Sequence, residues 1–412
     1  MHRLRVNGER LWDSIMAMAE IGPGKHGGSS RLALTEEDRA GRDRFVQWCV
    51  EEQCSITVDD MGNIFARRAG KTDSLPPVCA GSHLDTQPHG GRFDGIYGVL
   101  AALEVVRTLN ENGVETEAPI EIVDWTNEEG SRFSPAMIAS GVFAGLFDKE
   151  YAWARQDQAG ITLYEALQQI GYLGSQPCGN HPMAALFEAH IEQGPILEAE
   201  GNQIGIVTGG QGVKWFDATI RGQDSHAGTT PMSRRKDALL AAGEAVGMIN
   251  RIALDNPPHA LSTVGCLSVS PDSRNTIPGA VRMSIDIRHP EDSRLHDMEQ
   301  ELRVNLDDMA ARHGTEIDLV PVWHNPPVEF DPACVRAVSD ATEALGLRSQ
   351  RMVSGAGHDA CQVCRVVPTA MIFVPCRDGL SHNEAEYATP EDLEAGCNVL
   401  LHSMLRVAGI AS

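Results

Sequence analysis

The sequence predicts an α/β protein: a mixed, largely parallel sheet flanked by helices, carrying an inserted βαββαβ sandwich. Three observations predict it. At 412 residues the chain is too long for one typical core. Short apolar strand segments alternate with helical ones from Val78 onward and return near the C-terminus. Between them lies a stretch of different character, bounded by Gly209-Gly210-Gln211-Gly212 and Asn325-Pro326-Pro327, that reads β-α-β-β-α-β. The expected boundaries are therefore 1–212 with 329–412 for the main domain and 213–328 for the inserted one.

Composition excludes several classes. The chain carries 57 Asp+Glu against 34 Lys+Arg, a formal net charge of -23, which argues against a nucleic-acid partner because such binding needs a basic face. A small anionic substrate needs only one or two local cations, so it stays compatible. Ten cysteines without regular spacing do not make a disulfide framework. The start, Met1 to Arg10, is not followed by the apolar core of a signal peptide, and no uncharged run is long enough to span a bilayer. The expectation is a cytoplasmic protein with no membrane partner.

Taken in order, residues 10–21 place Leu11, Ile15 and Met18 on one helical face, ending at Gly22-Pro23. A second helix runs from Thr35 to Cys54, with Thr35 and Asp38 spaced as a capping box. Ile56-Thr57-Val58 and Asn63 to Ala66 form a hairpin around Asp60-Met61-Gly62. Val78 to Gly81 is a short apolar strand that delivers His83, Asp85 and, after a glycine-rich turn, Asp94. A neutral imidazole and a carboxylate able to bridge two cations resemble half of a metal site. Asp85 is placed to hold the His83 ring from behind, and Gly90 and Gly91 let the backbone turn tightly and approach a ligand.

Gly98 to Leu109 is an apolar helix stopped by Asn112-Gly113. Ile120 to Trp125 is a strand with Asn127-Glu128-Glu129-Gly130 at its end. Adjacent carboxylates are ordinarily solvated, but at a strand end facing His83 and Asp94 one can bind metal while the other takes a proton from bound water. Phe187 to Gly194 supplies His190 on an alternating strand, and Ala370 to Val374 leads to Gly379-Leu380-Ser381-His382. In a parallel α/β sheet ligands bind beyond the carboxyl ends of the strands, where all four groups fall.

In the inserted stretch, Val213 to Arg221, Thr263 to Val269, Ala280 to Arg288 and Glu316 to Trp323 read as strands. Arg234 to Ile252 and Asp292 to His313 read as helices. Alternation puts Arg282, Ser284, Asp286 and Arg288 on one face, which by itself reads as a solvated sheet face. Asn275 sits on the loop just before Thr276-Ile277-Pro278-Gly279. Cys361-Gln362-Val363-Cys364 has metal or redox spacing but no second cysteine pair answers it, so it reads as a packed helix face. Ser354-Gly355-Ala356-Gly357 lacks the lysine of a phosphate loop and reads as backbone lining a pocket.

Seven motifs then carry a resemblance over nearly the whole chain: G-S-H-L-D-T from Gly81, G-G-R-F-D-G from Gly90, T-N-E-E-G-S-R-F from Thr126, H-I-E-Q-G-P from His190, S-H-A-G-T-T-P-M from Ser225, G-A-G-H-D-A from Gly355 and G-L-S-H-N-E from Gly379. With them the chain resembles the binuclear-metal M20 peptidase family, and more narrowly its amidase branch of N-carbamoyl-L-amino acid hydrolases, β-ureidopropionases and allantoate amidohydrolases. The resemblance implies His83 and His190 on one divalent ion, Glu129 and His382 on the other, and Asp94 bridging them. It implies Glu128 as general base, and substrate contacts at Gln193, Asn275, Arg288 and Gly357. His226 would reach from the smaller, lid domain to polarise the scissile carbonyl, in relatives across the interface of a homodimer formed through that domain. His190 departs from the acidic ligand of the peptidase branches and agrees with the amidase branch.

The implied activity is metal-dependent cleavage of the carbamoyl C–N bond of an N-carbamoyl-L-amino acid by a metal-bridging hydroxide, giving amino acid, carbon dioxide and ammonia. The substrate is a small ureido compound bearing a carboxylate, and the ions are two of Zn, Mn, Co or Ni per subunit. Allantoate amidohydrolase and β-ureidopropionase are the close alternatives. A metallo-aminopeptidase, a thiol hydrolase and a non-catalytic binding module are more distant ones.

Overall fold

The computed structural model describes residues 4–411. The chain forms two compact units: one runs up to Thr208 and resumes at Glu329, and the other is Gly209–Val328.

The main unit is an α/β fold around one mixed sheet. In spatial order its strands are Ser55–Val58, Ile64–Arg68, Ile120–Trp125, Val78–His83, Ala185–Ile191, Thr369–Val374, Ile204–Gly210 and the short Val328–Glu329, with Ser349–Ser354 also pairing onto Ile204–Gly210. The four central strands are mutually parallel. The flanking pairs are antiparallel. Every residue of those four strands is buried, because helices cover both faces of a parallel sheet and leave no solvated face to alternate with. Helices Ile96–Glu111 and Pro390–Ala408 pack on this sheet and on each other. Since the four strands run the same way side by side, their carboxyl ends open along one edge.

Helix Glu36–Glu51 shows how this unit handles buried charge. The Thr35 hydroxyl accepts the Asp38 N–H at 3.3 Å, as a capping box requires. The reciprocal half of the box is absent. The Asp38 carboxylate accepts instead from the Leu34 N–H at 2.7 Å and from Arg42 Nε at 2.9 Å. Arg42 is wholly buried and must be paired. It also donates to the Gly62 carbonyl at 2.8 Å and the Thr126 hydroxyl at 3.3 Å, and lies 3.7 Å from the Asp124 carboxylate. The competition between a local cap and a buried cation is won by the cation.

The inserted unit is a four-stranded antiparallel sheet in the order Glu316–Asn325, Gly212–Arg221, Ala280–His289, Leu261–Ser270. Helices Ala238–Leu254 and Asp292–His313 cover one of its faces. Phe216, Ala218 and Ile220 alternate inward from one strand and Val281, Met283, Ile285 and Ile287 from the next, against Ile249 and Leu302 of the helices. This is the period of two meeting the period of 3.6. The first of these helices starts four residues later than the sequence suggests. Asp237 caps it by accepting the N–H groups of Leu239 and Leu240, and Met232–Arg234 is a separate 3-10 turn. Among the described residues no helix is long and apolar enough to cross a membrane.

Candidate metal centre

Each of the four parallel strands delivers its chemistry at or beyond its carboxyl end. Val78–His83 ends on His83, and the chain then passes Asp85 and turns through glycines to Asp94. Ile120–Trp125 is followed by Glu128 and Glu129, Ala185–Ile191 carries His190, and Thr369–Val374 leads to Ser381 and His382. His83, Asp94, Glu128, Glu129, His190, Gln193, Gly357 and His382 line one pocket in the main unit, together with Gln87, Met137 and His358.

Asp94 lies at the centre. Its Oδ1 is 3.1 Å from His190 Nε2 and 3.8 Å from His83 Nε2, while its Oδ2 is 3.4 Å from His382 Nε2. His382 Nε2 is also 3.4 Å from Glu129 Oε2. Two groups therefore share one carboxylate: His83, Asp94 and His190, and Asp94, Glu129 and His382, in each of which the ligand atoms lie within 4.8 Å of one another. Glu128 stands outside both, with Oε2 3.5 Å from His83 Nε2.

The atoms behind these groups aim them. His83 Nδ1 donates to the Asp85 carbonyl at 2.9 Å and His190 Nδ1 to the Ile191 carbonyl at 2.8 Å, so in the neutral rings both Nε2 atoms are acceptors, that of His190 meeting the Gly95 N–H at 3.2 Å. Asp85 thus holds the His83 ring from behind through its backbone oxygen, while its carboxylate lies 4.0 Å from the ring. That carboxylate turns to the acidic loop, where it faces the N–H groups of Glu128 and Glu129 at 3.2 and 3.3 Å. Gln87 fixes Glu129, with its backbone N–H on Oε1 at 3.2 Å and its side-chain amide on Oε2 at 2.8 Å. Gln193 Nε2 donates to Asp94 Oδ2 at 2.8 Å. Asn127, Gln193 and His382 all hold left-handed backbone conformations, with φ between +52° and +57°. Such strain in non-glycine residues gathers where geometry is imposed by function.

Electrostatics leave this set short of positive charge. Burial, then Asp359 and Glu129, push the Glu128 carboxyl well above its ordinary range. Burial, then Asp94 and Asp85, do the same to Glu129. Glu386 is pushed up to about 8 by burial and by Asp94. Burial opposes the charge on Asp94, but His190, His83 and His382 outweigh it and hold that carboxyl below the ordinary range. Burial likewise opposes a proton on His190, yet Asp94 raises it to about 9, while burial lowers His83 to about 4. Buried carboxylates that outnumber their cationic partners are costly unless a cation joins them. Imidazole nitrogens and carboxylate oxygens in two sharing groups are a donor set that fits two divalent ions such as Zn²⁺, Mn²⁺, Co²⁺ or Ni²⁺.

His226, Asn275 and Arg288 belong to the inserted unit. His226 pairs with Thr276 in a two-stranded ladder, and the adjacent Ala227 N–H donates to the Asn275 carbonyl, so His226 and Asn275 are neighbours. The Arg288 fork already grips a carboxylate of its own strand face, Asp286, at 2.8 to 3.2 Å. Sequence reasoning missed His358, which is buried, 4.5 Å edge-on to the His190 ring, and joined to the Ser354 hydroxyl at 3.0 Å. It also missed Glu386, four residues beyond His382. The His358 signal was present in G-A-G-H-D-A; Glu386 has only its spacing.

Comparison with known proteins shows the family. The model of the family described as Peptidase family M20/M25/M40 matches residues 79–406. An N-carbamoyl-L-amino-acid amidohydrolase of Rhizobium meliloti is 48% identical over 406 residues, 98% of each chain. An allantoate amidohydrolase of Bacillus subtilis is 33% identical over 97% of each. Among solved structures, an amidase of the hydantoinase/carbamoylase family from Burkholderia multivorans superposes with a TM-score of 0.96 at 57% identity, covering 98% of both chains.

Gly95 offers a test of the centre. It holds φ +71°, and a Cβ there would overlap the His83 ring. Gly95→Ala is expected to displace that ring and weaken divalent-ion binding by about 10- to 100-fold, the usual effect of disturbing a ligand's support. Isothermal titration with Mn²⁺ or Zn²⁺ measures it, and unchanged affinity would exclude His83 as a ligand.

Proposed function

The chain belongs to the peptidase family M20/M25/M40, and from that premise we propose that it is a metal-dependent amidohydrolase that removes the carbamoyl group of N-carbamoyl-L-amino acids. The observation that carries the metal reading is the division of the two Asp94 oxygens between two ligand groups. Held by His83, Asp94 and His190 on one side and by Asp94, Glu129 and His382 on the other, two divalent ions would polarise the ureido carbonyl and acidify an attacking water. The substrate class follows the relatives, with His190 in place of an acid as the residue that sets this branch apart.

Glu128 suits the proton transfers. It lines the same pocket without belonging to either ligand group, and burial among carboxylates raises its affinity for a proton. It takes the proton of the attacking water as oxygen bonds to the carbamoyl carbon, and returns it to the amino nitrogen as the C–N bond breaks. The products are the amino acid and carbamate, which decomposes to carbon dioxide and ammonia. For the substrate carboxylate we assign Arg288 and Asn275, and for the developing oxyanion His226, on the chemistry of their side chains. Gly357 would offer backbone to the substrate. Gln193, already bonded to Asp94, would orient that carboxylate as well as touch substrate. We also infer a homodimer through the inserted unit, supported by the exposed Leu240, Leu254, Val322 and Trp323 there; a monomer mass by light scattering would overturn it.

Allantoate is the second reading, favoured by the Bacillus subtilis relative. One assay decides between them: ammonia release from N-carbamoyl-L-amino acids, N-carbamoyl-β-alanine, allantoate and a carbamoyl amine lacking a carboxylate, before and after exhaustive chelation. The expected result is preference for N-carbamoyl-L-amino acids, loss on chelation and recovery with Mn²⁺, Co²⁺, Ni²⁺ or Zn²⁺. Full activity without metal would sink the reading.

Two variants separate base from ligand. Glu128→Gln is expected to retain both ions and lose at least about 10²-fold in kcat. Glu129→Gln is expected to lose bound metal as well. Elemental analysis showing Glu128→Gln to be the metal-poor variant would reverse the roles.

A further inference from the structure

The two ligand groups are unequally supported. His83 and His190 sit at strand ends, are buried, and have Nδ1 fixed by backbone carbonyls at 2.9 and 2.8 Å. His382 lies on the long loop after Thr369–Val374, with its side chain 52% exposed and its backbone at φ +52°. Its ring makes ion pairs with Asp94 and Glu129. Something else must hold its loop against the Asp94 turn.

Glu386 is a buried group that joins them. It comes four residues after His382. Its Oε1 accepts the N–H groups of Phe93 and Asp94 at 3.0 and 3.1 Å, gripping the turn that presents the shared carboxylate. Its Oε2 is 2.9 Å from the Ser381 hydroxyl, next to His382. Ser381 is also 3.0 Å from Asp94 Oδ2 and has one hydrogen to give. Gln193 resolves the competition, because its amide donates to Asp94 Oδ2 at 2.8 Å and reaches the Ser381 oxygen at 3.1 Å. The Ser381 hydrogen is then available for Glu386, and the chain runs Gln193 to Ser381 to Glu386. Gly91 completes the fit, since a Cβ there would overlap the Glu386 carboxylate.

We propose that Glu386 is a positioning residue that ties the Asp94 turn to the Ser381-His382 loop, and that the metal subsite of Glu129 and His382 depends on this tie while the subsite of His83 and His190 does not. The inference rests on the two-metal reading above and adds an order of assembly. His83 and His190 stand at strand ends, so the subsite they form with Asp94 keeps two of its three ligands without Glu386 and fills first. The Asp94–Glu129–His382 subsite forms only when Glu386 draws the His382 loop in.

The test is metal titration of the full chain followed by calorimetry, with elemental analysis of the dialysed protein. The wild type is expected to retain two ions. Glu386→Ala is expected to retain one and to bind the second at least about tenfold more weakly. Gly91→Ala, which displaces Glu386 without removing it, should give the same pattern. Glu386→Gln keeps an oxygen for the Phe93 and Asp94 N–H groups and should restore much of the loss. Should Glu386→Ala not fold, Ser381→Ala, which leaves Glu386 on the Asp94 turn but removes the hydroxyl it meets on the His382 loop, serves in its place. Two ions held with wild-type affinity in the folded variants, or equal weakening of both sites, would overturn the proposal and leave the two-metal reading intact. A wild type that binds no divalent ion would overturn that reading, and the proposal with it.

Discussion

A carboxylate buried among imidazoles and other carboxylates is stable only in a narrow set of arrangements, and in this protein Asp94 is that carboxylate. Its charge is held by three histidines that arrive from three different strands or loops. Satisfying it therefore requires the strands ending near His83, Ile191 and Val374 to be neighbours running in the same direction. The parallel order of the sheet centre meets that requirement, and the fourth parallel strand, Ile120–Trp125, adds the Glu128-Glu129 loop beside it. Strand direction and site composition are two aspects of one constraint.

The carboxylates around Asp94 extend the same demand outward. Glu128 and Glu129 are aimed by the Asp85 carboxylate. Asp85 in turn lies in the field of the buried Arg42, which is anchored by Asp38 and bonded to Thr126 at the base of the acidic loop. Neutral hydrogen bonds alone rarely hold buried charges in place; networks in which each charge is answered do so, at the cost of tolerating little change. Here the network reaches from the helix Glu36–Glu51 to the pocket. That reach explains why a residue as remote in sequence as Asp38 gives up its expected cap to pair with an arginine.

The inserted unit obeys different rules. Its sheet is antiparallel and covered by helices on one face only, so its strands alternate and its other face is partly exposed. Polar side chains such as Asp286 and Arg288 can stand on the uncovered face at little cost and pair with each other. The Arg288 fork donates to the Asp286 carboxylate through Nε and Nη2, the planar pairing that a guanidinium favours.

Much of this was legible in the sequence because it is local. The strand at Val78, the acidic pair after Trp125, His190 on an alternating strand and His382 after an apolar run can each be read from a window of a few residues, and their recurrence at strand ends points to one edge of a parallel sheet. The β-α-β-β-α-β order is read in the same way. Other features were decided only in three dimensions, because they depend on which distant atoms compete for a group. The Asp85 carboxylate serves the acidic loop and leaves the ring to its carbonyl. Asp38 pairs with Arg42 and not with the Thr35 N–H. Gln193 bonds to Asp94, the Arg288 fork is filled by Asp286, and Glu386 closes the distance between two loops some 290 positions apart. Period and propensity tell which residues face inward. Only the packed chain determines which of the inward polar groups find one another, since each hydrogen and each lone pair can be used once.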